Sequence, residues 1–214
     1  MEQKVKGILD NLIERYPILV DQKENIWEVF KILETSYKDG KKLLVAGNGG
    51  SAADAEHIVG ELMKGFVKKR PLDEKTLARL KEVDEQEGQY IGKMLQGALP
   101  AIAIVDHVAL STAFLNDVDP LLNLAQQVNG YGNEGDVFLA ISTSGNSKNI
   151  LSACTVARAK GMKIIGLTGG TGGKLVERTD VAIVVNESET YKIQELHLPV
   201  YHALCLMLEE AFFE

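Results

Sequence analysis

The fold is indicated most directly by residues 43–57, LLVAGNGGSAADAEH. A short apolar run, 43–46, is followed by a glycine-rich turn and then by residues with helical periodicity. Later apolar runs of the same character occupy 101–105, 137–141, 163–167 and 181–185. They are apolar throughout instead of alternating, which is expected of parallel strands that helices cover on both faces. The sequence therefore predicts an α/β fold with a doubly wound, five-stranded parallel sheet flanked by helices.

Helical patterns precede and follow this α/β region. The first 40 residues carry apolar side chains at helical spacing, ending at Asp39-Gly40, and predict N-terminal helices. A long C-terminal helix is predicted from Glu189 onward, with a kink or a restart at Pro199 because proline has no backbone N–H to donate. The chain contains no internal repeat and no long linker, so we expect one domain over residues 1–214.

The segment from Asp73 to Gln96 is charged and helix-prone, and it lies between the first two predicted strands. We interpret it as a helical insertion, either a surface helix or a helical hairpin. A lid or an oligomer contact is the alternative for the same residues.

Composition restricts the function. Thirty acidic residues against 23 basic ones give a formal net charge of −7, which disfavours a general nucleic-acid binder. No apolar run approaches the roughly 20 residues of a membrane span, and residues 1–4 do not resemble a secretory signal. Cys154 and Cys205 lie in apolar helical patterns without CxxC spacing, as buried reduced thiols do. We therefore expect a cytoplasmic protein with no nucleic-acid or membrane partner.

Two loops after predicted strands have the composition of ligand-binding loops, because ligands of open parallel sheets collect at the carboxyl ends of the strands. The first, 47–51, is Gly-Asn-Gly-Gly-Ser, in which Ser51 can cap the next helix. It lacks the dinucleotide fingerprint GxGxxG, since Ala52 stands where the third glycine would be, and NAD binding is disfavoured.

The second loop, Ser142 to Ser147, carries four hydroxyl groups at the start of a predicted helix. Hydroxyls, free backbone N–H groups and the helix dipole together suit a phosphate monoester. A capping loop rich in small polar residues is the alternative. A third glycine-rich turn, 168–174, resembles a P-loop but fails the pattern at Thr168 and Leu175.

Titratable residues concentrate in two helical segments. His57 and Glu61 are four residues apart, so they share a helix face at a spacing that suits metal binding or acid–base chemistry. The C-terminal helix carries Gln194, Glu195, His197 and His202. At about 100° per residue, Glu195 lies nearly in line with His202 whereas Gln194 diverges from it by roughly 80°. The alternative is that these histidines are ordinary surface or core residues.

Four motifs resemble the sugar isomerase (SIS) domain family, and within it the phosphoheptose isomerases that act on sedoheptulose 7-phosphate. They are AGNGGSAADAEHIVGEL at 46–62, ISTSGNS at 141–147, LTGGTGGK at 167–174 and IQELHLPVYH at 193–202. The resemblance implies a small-molecule sugar phosphate as substrate and a homotetramer with active sites between subunits. It also implies a divalent metal ion, usually zinc.

The resemblance further implies roles for individual residues. The metal ligands would be His57, Glu61, Gln194 and His202. The family thus selects Gln194 over Glu195. We accept this choice because Pro199 undermines the assumption of an ideal helix between residues 194 and 202. The implied substrate contacts are Asn48, Gly49, Gly50, Ser51, Asn116, Asp117, Ser142, Thr143, Ser144, Ser147 and Gln194.

A ketose–aldose isomerisation needs a base for the carbon-bound proton and a partner for the oxygen protons, and we expect Glu61 and His202 in these roles. Family members commonly carry a Gly-Arg pair after the helical glutamate, where this chain has Lys64-Gly65. Lys64 supplies a point charge instead of a bidentate fork. The alternative functions are a non-catalytic SIS scaffold, such as a replication-initiator-associating protein, and a sugar-phosphate sensor.

Overall fold

Five parallel strands form one sheet within residues 2–213, the part of the chain that this computed structural model describes. The strands are β1 (Leu43–Ala46), β2 (Ala101–Ala103), β3 (Val137–Ile141), β4 (Lys163–Gly169) and β5 (Val181–Val185). Their order is β2-β1-β3-β4-β5. The predicted doubly wound sheet is confirmed, although β2 ends two residues early and β4 extends two residues further, to Gly169.

Helices make up most of the remaining described chain. They are α1 (Glu2–Arg15), α2 (Lys23–Lys38), α3 (Gly50–Met63), α4 (Glu74–Val83), α5 (Glu85–Met94), α6 (Val108–Asp117), α7 (Asn123–Tyr131), α8 (Lys148–Ala159) and α9 (Thr190–Phe212). Short 3₁₀ helices occupy Pro17–Gln22 and Gly173–Arg178. The helix α9 runs through the buried Pro199 without a restart, so that part of the expectation was wrong.

The two faces of the sheet are covered by different helices, which explains why the strands are apolar throughout. On β1, Leu43 and Val45 belong to one core cluster, together with residues of α1, α2, α3 and α9. Leu44 and Ala46 point the other way and pack with residues of α7 and α8. Alternate residues of each strand thus enter opposite cores.

The Asp73–Gln96 segment forms a surface helical hairpin of α4 and α5. Each helix is capped by an aspartate: Asp73 accepts a hydrogen bond from the Thr76 N–H at 2.9 Å, and Asp84 accepts one from the Glu87 N–H at 2.8 Å. The helices approach closely at Gly88, where an added Cβ would lie 2.2 Å from the Leu80 carbonyl oxygen. None of the residues of α4 is buried.

The strand order creates a switch point between β1 and β3. The chain leaves β1 for β2 on one side, whereas β3 lies on the other side of β1. At such a point the carboxyl ends of two adjacent strands open a crevice that ligands use. The loops 47–51 and 142–147 follow β1 and β3, so the topology brings both candidate ligand loops to this crevice.

Both cysteines, Cys154 and Cys205, are buried free thiols. Among residues 2–213, none of the helices has the length and apolar character that a membrane crossing requires.

Candidate active site

The two candidate ligand loops are joined by a pair of side-chain amides. Asn48 donates to Asn149 at 3.1 Å, and Asn149 donates back to Asn48 at 2.8 Å. The second loop is also fixed against the turn after β4, because a Cβ on Gly145, whose φ is +63°, would lie 1.9 Å from the Gly172 carbonyl oxygen. The crevice therefore has a defined shape, and Asn149 is a contributor that the sequence analysis missed.

The serine hydroxyl groups of the second loop make contacts within the loop instead of capping α8. The Oγ atoms of Ser142 and Ser147 lie 3.0 Å apart, and Ser144 Oγ accepts a hydrogen bond from the Asn146 N–H at 3.2 Å. Ser147 stands at the N-cap position of α8 but makes no side-chain cap bond. This arrangement weakens the alternative of a simple capping loop and leaves donors beside the positive end of α8.

The first loop brings backbone close to α9. Gly49, with φ of +56°, precedes α3, and Gly50 begins it. A Cβ on Gly50 would lie 2.7 Å from the Nε2 atom of Gln194, so a larger residue there would displace that amide. Gly47 packs as closely on Ser51, where an added Cβ would lie 2.3 Å from the Ser51 carbonyl oxygen.

Further along the same two helices, His57 contacts two other titratable side chains. The His57 Nε2 atom lies 3.2 Å from Glu61 Oε1 and 3.5 Å from His202 Nε2. Lys64 Nζ lies 3.3 Å from Glu61 Oε2. The side chain of His57 is 42% exposed and that of Glu61 is 13% exposed, so solvent and a ligand can reach this His57–Glu61–His202 cluster. Burial and the neighbouring His57 lower the pKa of His202.

Two further residues stand behind His57. The Tyr201 hydroxyl lies 3.0 Å from His57 Nδ1 and donates a hydrogen bond to Asp54 Oδ1 at 3.2 Å. Burial raises the pKa of Asp54, and burial together with Asp54 raises the pKa of Tyr201. The sequence analysis missed both residues. Asp54 lies three positions before His57 and so nearly on its helix face, but no pattern singled out Tyr201.

Gln194 and Glu195 differ in their surroundings in the structure. Gln194 is half-buried against Gly50, whereas Glu195 is exposed to solvent. Gly50 precedes His57 by seven residues, a distance of about 10 Å along α3. Gln194 therefore faces α3, as the resemblance implies, but the structure does not bring it into the His57–Glu61–His202 cluster. Residues 2–213 contain no group of three or more His, Cys, Asp and Glu side chains that surrounds one point as metal ligands do.

Asn116 and Asp117 lie apart from the rest. They end the exposed helix α6, where Asn116 donates to Asp117 at 2.8 Å, and no hydrogen bond within the described residues joins them to either loop. His197 is fully buried and donates through Nε2 to the Thr168 carbonyl at 3.2 Å. Burial lowers the pKa of His197 to about 4, so it is a neutral packing residue at pH 7.

A buried ion pair lies beneath the end of α3. Arg70 donates through Nε to Glu209 at 2.8 Å and through its other nitrogens to the carbonyls of Leu62 and Glu61. Glu209 also accepts the backbone N–H groups of 66–68. Although burial opposes it, these donors and Arg70 hold the pKa of Glu209 below its usual range. This ion pair holds the backbone at the end of α3, which includes Glu61. The sequence analysis did not identify the pair.

A cleft of about 180 Å³ lies between α1 and α9 and reaches His202. Asn11, Arg15 and Tyr16 of the N-terminal region line it, and none of the residues of the two ligand loops does. The His57–Glu61–His202 cluster is therefore open on a side that the loops do not cover.

Residues 8–96 and 93–169 match the model of the SIS domain. A phosphoheptose isomerase of Aneurinibacillus thermoaerophilus is 39% identical over 177 residues, which cover 83% of this chain and 76% of the relative. A phosphoheptose isomerase of Rhodospirillum rubrum is 35% identical over 211 residues, which cover 99% of this chain and 98% of the relative.

Solved structures give the same result. The phosphoheptose isomerase of Neisseria gonorrhoeae superimposes with a TM-score of 0.74 at 28% identity, over 98% of both chains. That of Francisella tularensis superimposes with a TM-score of 0.73 at 30% identity, also over 98% of both chains.

Proposed function

The chain belongs to the SIS domain family and, within it, to the phosphoheptose isomerases, and on this premise we propose that it converts D-sedoheptulose 7-phosphate to D-glycero-D-manno-heptose 7-phosphate. The protein is thus an isomerase, and the non-catalytic alternatives are not favoured. One observation carries the proposal to this chain's own residues. The His57–Glu61–His202 cluster lies two helical turns from the crevice with the hydroxyl loop, and the substrate carries its carbonyl and its phosphate at opposite ends of a seven-carbon chain.

We propose that the loop 142–147 binds the phosphate through Ser142, Thr143, Ser144 and Ser147. The N-terminus of α8 adds backbone donors and a favourable dipole. Asn48, Gly49, Gly50, Ser51 and Gln194 would contact the sugar from the adjoining loop and helix. Asn116 and Asp117 remain predicted substrate contacts, which require that α6 approach a bound sugar.

The proposed reaction proceeds through a cis-enediol. The Glu61 carboxylate removes a proton from C1 while His202 gives a proton to the C2 oxygen, which yields the enediol. His202 then takes the proton of the C1 hydroxyl, and Glu61 returns its proton to C2. The atoms balance without an added oxidant or reductant. His57 lies 3.5 Å from His202 and 3.2 Å from Glu61. This proximity supports a site in which Glu61 and His202 reach one substrate.

We also propose a divalent metal ion, with zinc as the expected one, held by His57, Glu61, Gln194 and His202, the last of which can bind the ion only while its ligating nitrogen carries no proton. Two imidazoles and a carboxylate are an accepted zinc donor set, and ligand atoms of a tetrahedral zinc ion lie about 3.3 Å apart. The His57–Glu61 and His57–His202 distances of 3.2 Å and 3.5 Å fit that spacing, although the three side chains do not surround one point in the described residues. The amide of Gln194 fits less well, because it rests on Gly50. Bound there, the ion would stabilise negative charge on the enediol oxygens.

The remaining expectations concern the whole assembly. We propose one domain over residues 1–214 and a homotetramer with active sites between subunits. Exposed apolar side chains on and after α6, among them Val108, Leu115 and Val118, support a covered surface in that region. A cytoplasmic location is proposed on the two buried free thiols, which suit a reducing compartment.

The test is an isomerisation assay in D2O with sedoheptulose 7-phosphate, with and without added zinc, followed by NMR. Aldose formation and deuterium at C2 are expected, and both should be lost in folded Glu61→Gln and His202→Ala proteins. Glu56→Gln, on the same helix but exposed, is the matched control and should retain activity. Saturable binding of the sugar phosphate with neither conversion nor exchange would overturn the proposal in favour of a sensor or a scaffold.

A further inference from the structure

Asp54, Tyr201 and His57 form a chain of hydrogen bonds that ends inside the candidate active site. Tyr201 comes from α9, and the other two residues come from α3. The Tyr201 hydroxyl lies 3.0 Å from His57 Nδ1 and 3.2 Å from Asp54 Oδ1. The rings of Tyr201 and His57 meet edge to face with centroids 5.5 Å apart. The side chain of Tyr201 is buried, so its hydroxyl is held between these two partners.

The number of available protons determines which group donates each of these two hydrogen bonds. A tyrosine hydroxyl has one proton to donate, and the geometry directs that of Tyr201 to Asp54 Oδ1. Tyr201 therefore donates to Asp54, and its oxygen is left to accept a hydrogen bond from His57. A neutral imidazole has one N–H group, and in this arrangement it is at Nδ1. The Nε2 atom then carries a lone pair, which faces Glu61 and His202.

We propose that Asp54 and Tyr201 are positioning residues that hold His57 in the Nδ1–H tautomer and so keep its Nε2 lone pair free inside the His57–Glu61–His202 cluster. The proposal rests on the proposed function for the role of that lone pair. Metal-binding histidines generally donate their other N–H to an oxygen that sets ring orientation and tautomer. In this chain the oxygen belongs to a tyrosine, which a carboxylate orients in turn.

The contact around His57 Nε2 opposes the Nδ1–H tautomer when no cation is bound and favours it when one is. Its lone pair lies 3.2 Å from a Glu61 oxygen, an electron-rich neighbour, so a proton or a cation must lie between them for the contact to be favourable. A ring with its proton fixed at Nε2 would already satisfy Glu61 and would have no lone pair left for a metal ion. The hydrogen-bond chain behind the ring thus decides whether the front of the ring accepts a cation.

The direct test is the tautomer of His57 in metal-free protein, read from two-bond ¹H–¹⁵N correlations of the ring at pH 8.5. The Nδ1–H form is expected in the wild-type protein. Tyr201→Phe keeps the ring but removes the acceptor, so the share of the Nε2–H form should rise. Asp54→Ala leaves the tyrosine proton without its acceptor, so it turns to His57 Nδ1 and the Nε2–H form should dominate. These two variants alter different helices, so the test survives if one of them fails to fold.

Tyr37→Phe is the matched control, because Tyr37 is also buried but its hydroxyl has no hydrogen-bond partner within the described residues. Its His57 tautomer should equal that of the wild-type protein. An Nε2–H tautomer in the wild-type protein, or an unchanged tautomer in both Tyr201→Phe and Asp54→Ala, would overturn the proposal.

Zinc affinity, measured by competition with a chromogenic chelator, supplies the second readout. Loss of such an outer partner typically lowers metal affinity by about 10–100-fold, and Tyr201→Phe and Asp54→Ala should do so while Tyr37→Phe does not. If zinc does not bind even to the wild-type protein while the tautomers change as expected, the metal proposal fails and the positioning role stands. If zinc binds and the two variants bind it as tightly as the wild-type protein, the positioning role fails and the proposed function stands.

Discussion

Two polar clusters involve α9, one with α3 and the other with the segment that follows α3, and they differ in how completely their groups are paired. In the Arg70–Glu209 pair the two side chains are 0% and 1% exposed. The Glu209 carboxylate accepts from Arg70 and from three backbone N–H groups. In the His57–Glu61–His202 cluster the His57 side chain is 42% exposed, and its Nε2 atom lies 3.2 Å from Glu61 Oε1 and 3.5 Å from His202 Nε2.

The difference indicates what each cluster does. A carboxylate whose acceptor sites are filled by fixed donors has no vacancy for a substrate proton, and burial makes its loss costly to the fold. A carboxylate that shares a solvent-accessible space with two imidazoles has unfilled capacity for a proton, a cation or a ligand. Glu209 should therefore matter for stability and Glu61 for activity, although both are glutamates.

Glu61→Gln tests the open cluster, and we expect the largest effect there. Removing a general base should lower kcat by about 10²–10⁴-fold, because the amide cannot take the C1 proton. The free energy of unfolding should stay close to that of the wild-type protein. Steady-state kinetics with sedoheptulose 7-phosphate and urea unfolding measure the two quantities, with Glu56→Gln on the same helix as the control. A folded Glu61→Gln protein with wild-type kcat would remove Glu61 from the mechanism.

Glu209→Ala tests the closed pair. Breaking a buried ion pair by removing one partner leaves an uncompensated charge, here on Arg70, and typically costs about 3–5 kcal/mol of stability. Urea unfolding monitored by circular dichroism should show this loss. The neighbouring Glu210 makes partly exposed ion pairs with Lys4 and Lys68, so Glu210→Ala should cost about 1 kcal/mol or less. Equal losses for the two variants would contradict the distinction between the clusters.

His197 sharpens the comparison, because it is a histidine of α9 that is buried like Glu209. Its folded-state pKa of about 4 lies below the unfolded value of 6.5, so the unfolded chain binds more protons between these values. The stability from this group is fully present above pH 6.5 and is lost as the pH falls toward 4, by about 3 kcal/mol.

The measurement is urea unfolding of the wild-type and His197→Gln proteins at pH 7.0 and pH 4.5. The difference between the two proteins isolates His197 from the carboxylates, which titrate in both. The wild-type protein should lose more stability on acidification than the variant. His107→Gln, at a histidine that stacks on Tyr131 near β2, is the control and should follow the wild-type protein. Parallel pH dependence of the wild-type and His197→Gln proteins would show that His197 is not held neutral by burial.

Sequence predicted the fold well because the information is local. A short run of four or five apolar residues is typical of a buried parallel strand, and all five such runs contain strands in the structure. The ends of β2 and β4 were less predictable, since they depend on which neighbouring strand continues the hydrogen bonding. The restart at Pro199 did not occur because the surrounding core covers α9 on both sides of the proline.

The candidate site was predictable where spacing along one helix carries it, as for His57 and Glu61. It was not predictable where two elements meet. Nothing in the sequence pairs Tyr201 with Asp54 across 147 positions, or Arg70 with Glu209 across 139. The choice between Gln194 and Glu195 is similar, because the residue of α9 that meets α3 depends on where the two helices approach. Periodicity favoured Glu195, and the structure turns Gln194 toward α3 instead.

Thr143→Val should have the smallest effect of the proposed changes, and it tests the far end of the site. The hydroxyl of Thr143 lies in the proposed phosphate loop, away from the atoms that react, so it should bind the substrate and the transition state equally. A hydrogen bond to a charged group contributes about 1.5–3 kcal/mol, which corresponds to a KM raised by about 10–100-fold with kcat nearly unchanged. Thr155→Val is the control, because its hydroxyl lies on the exposed face of α8, where it donates to the Leu151 carbonyl and accepts from Arg178. If Thr143→Val lowered kcat and left KM unchanged, the loop would act on the reacting carbons and not on the phosphate, and the separation between the binding end and the proton-transfer end of this site would not hold.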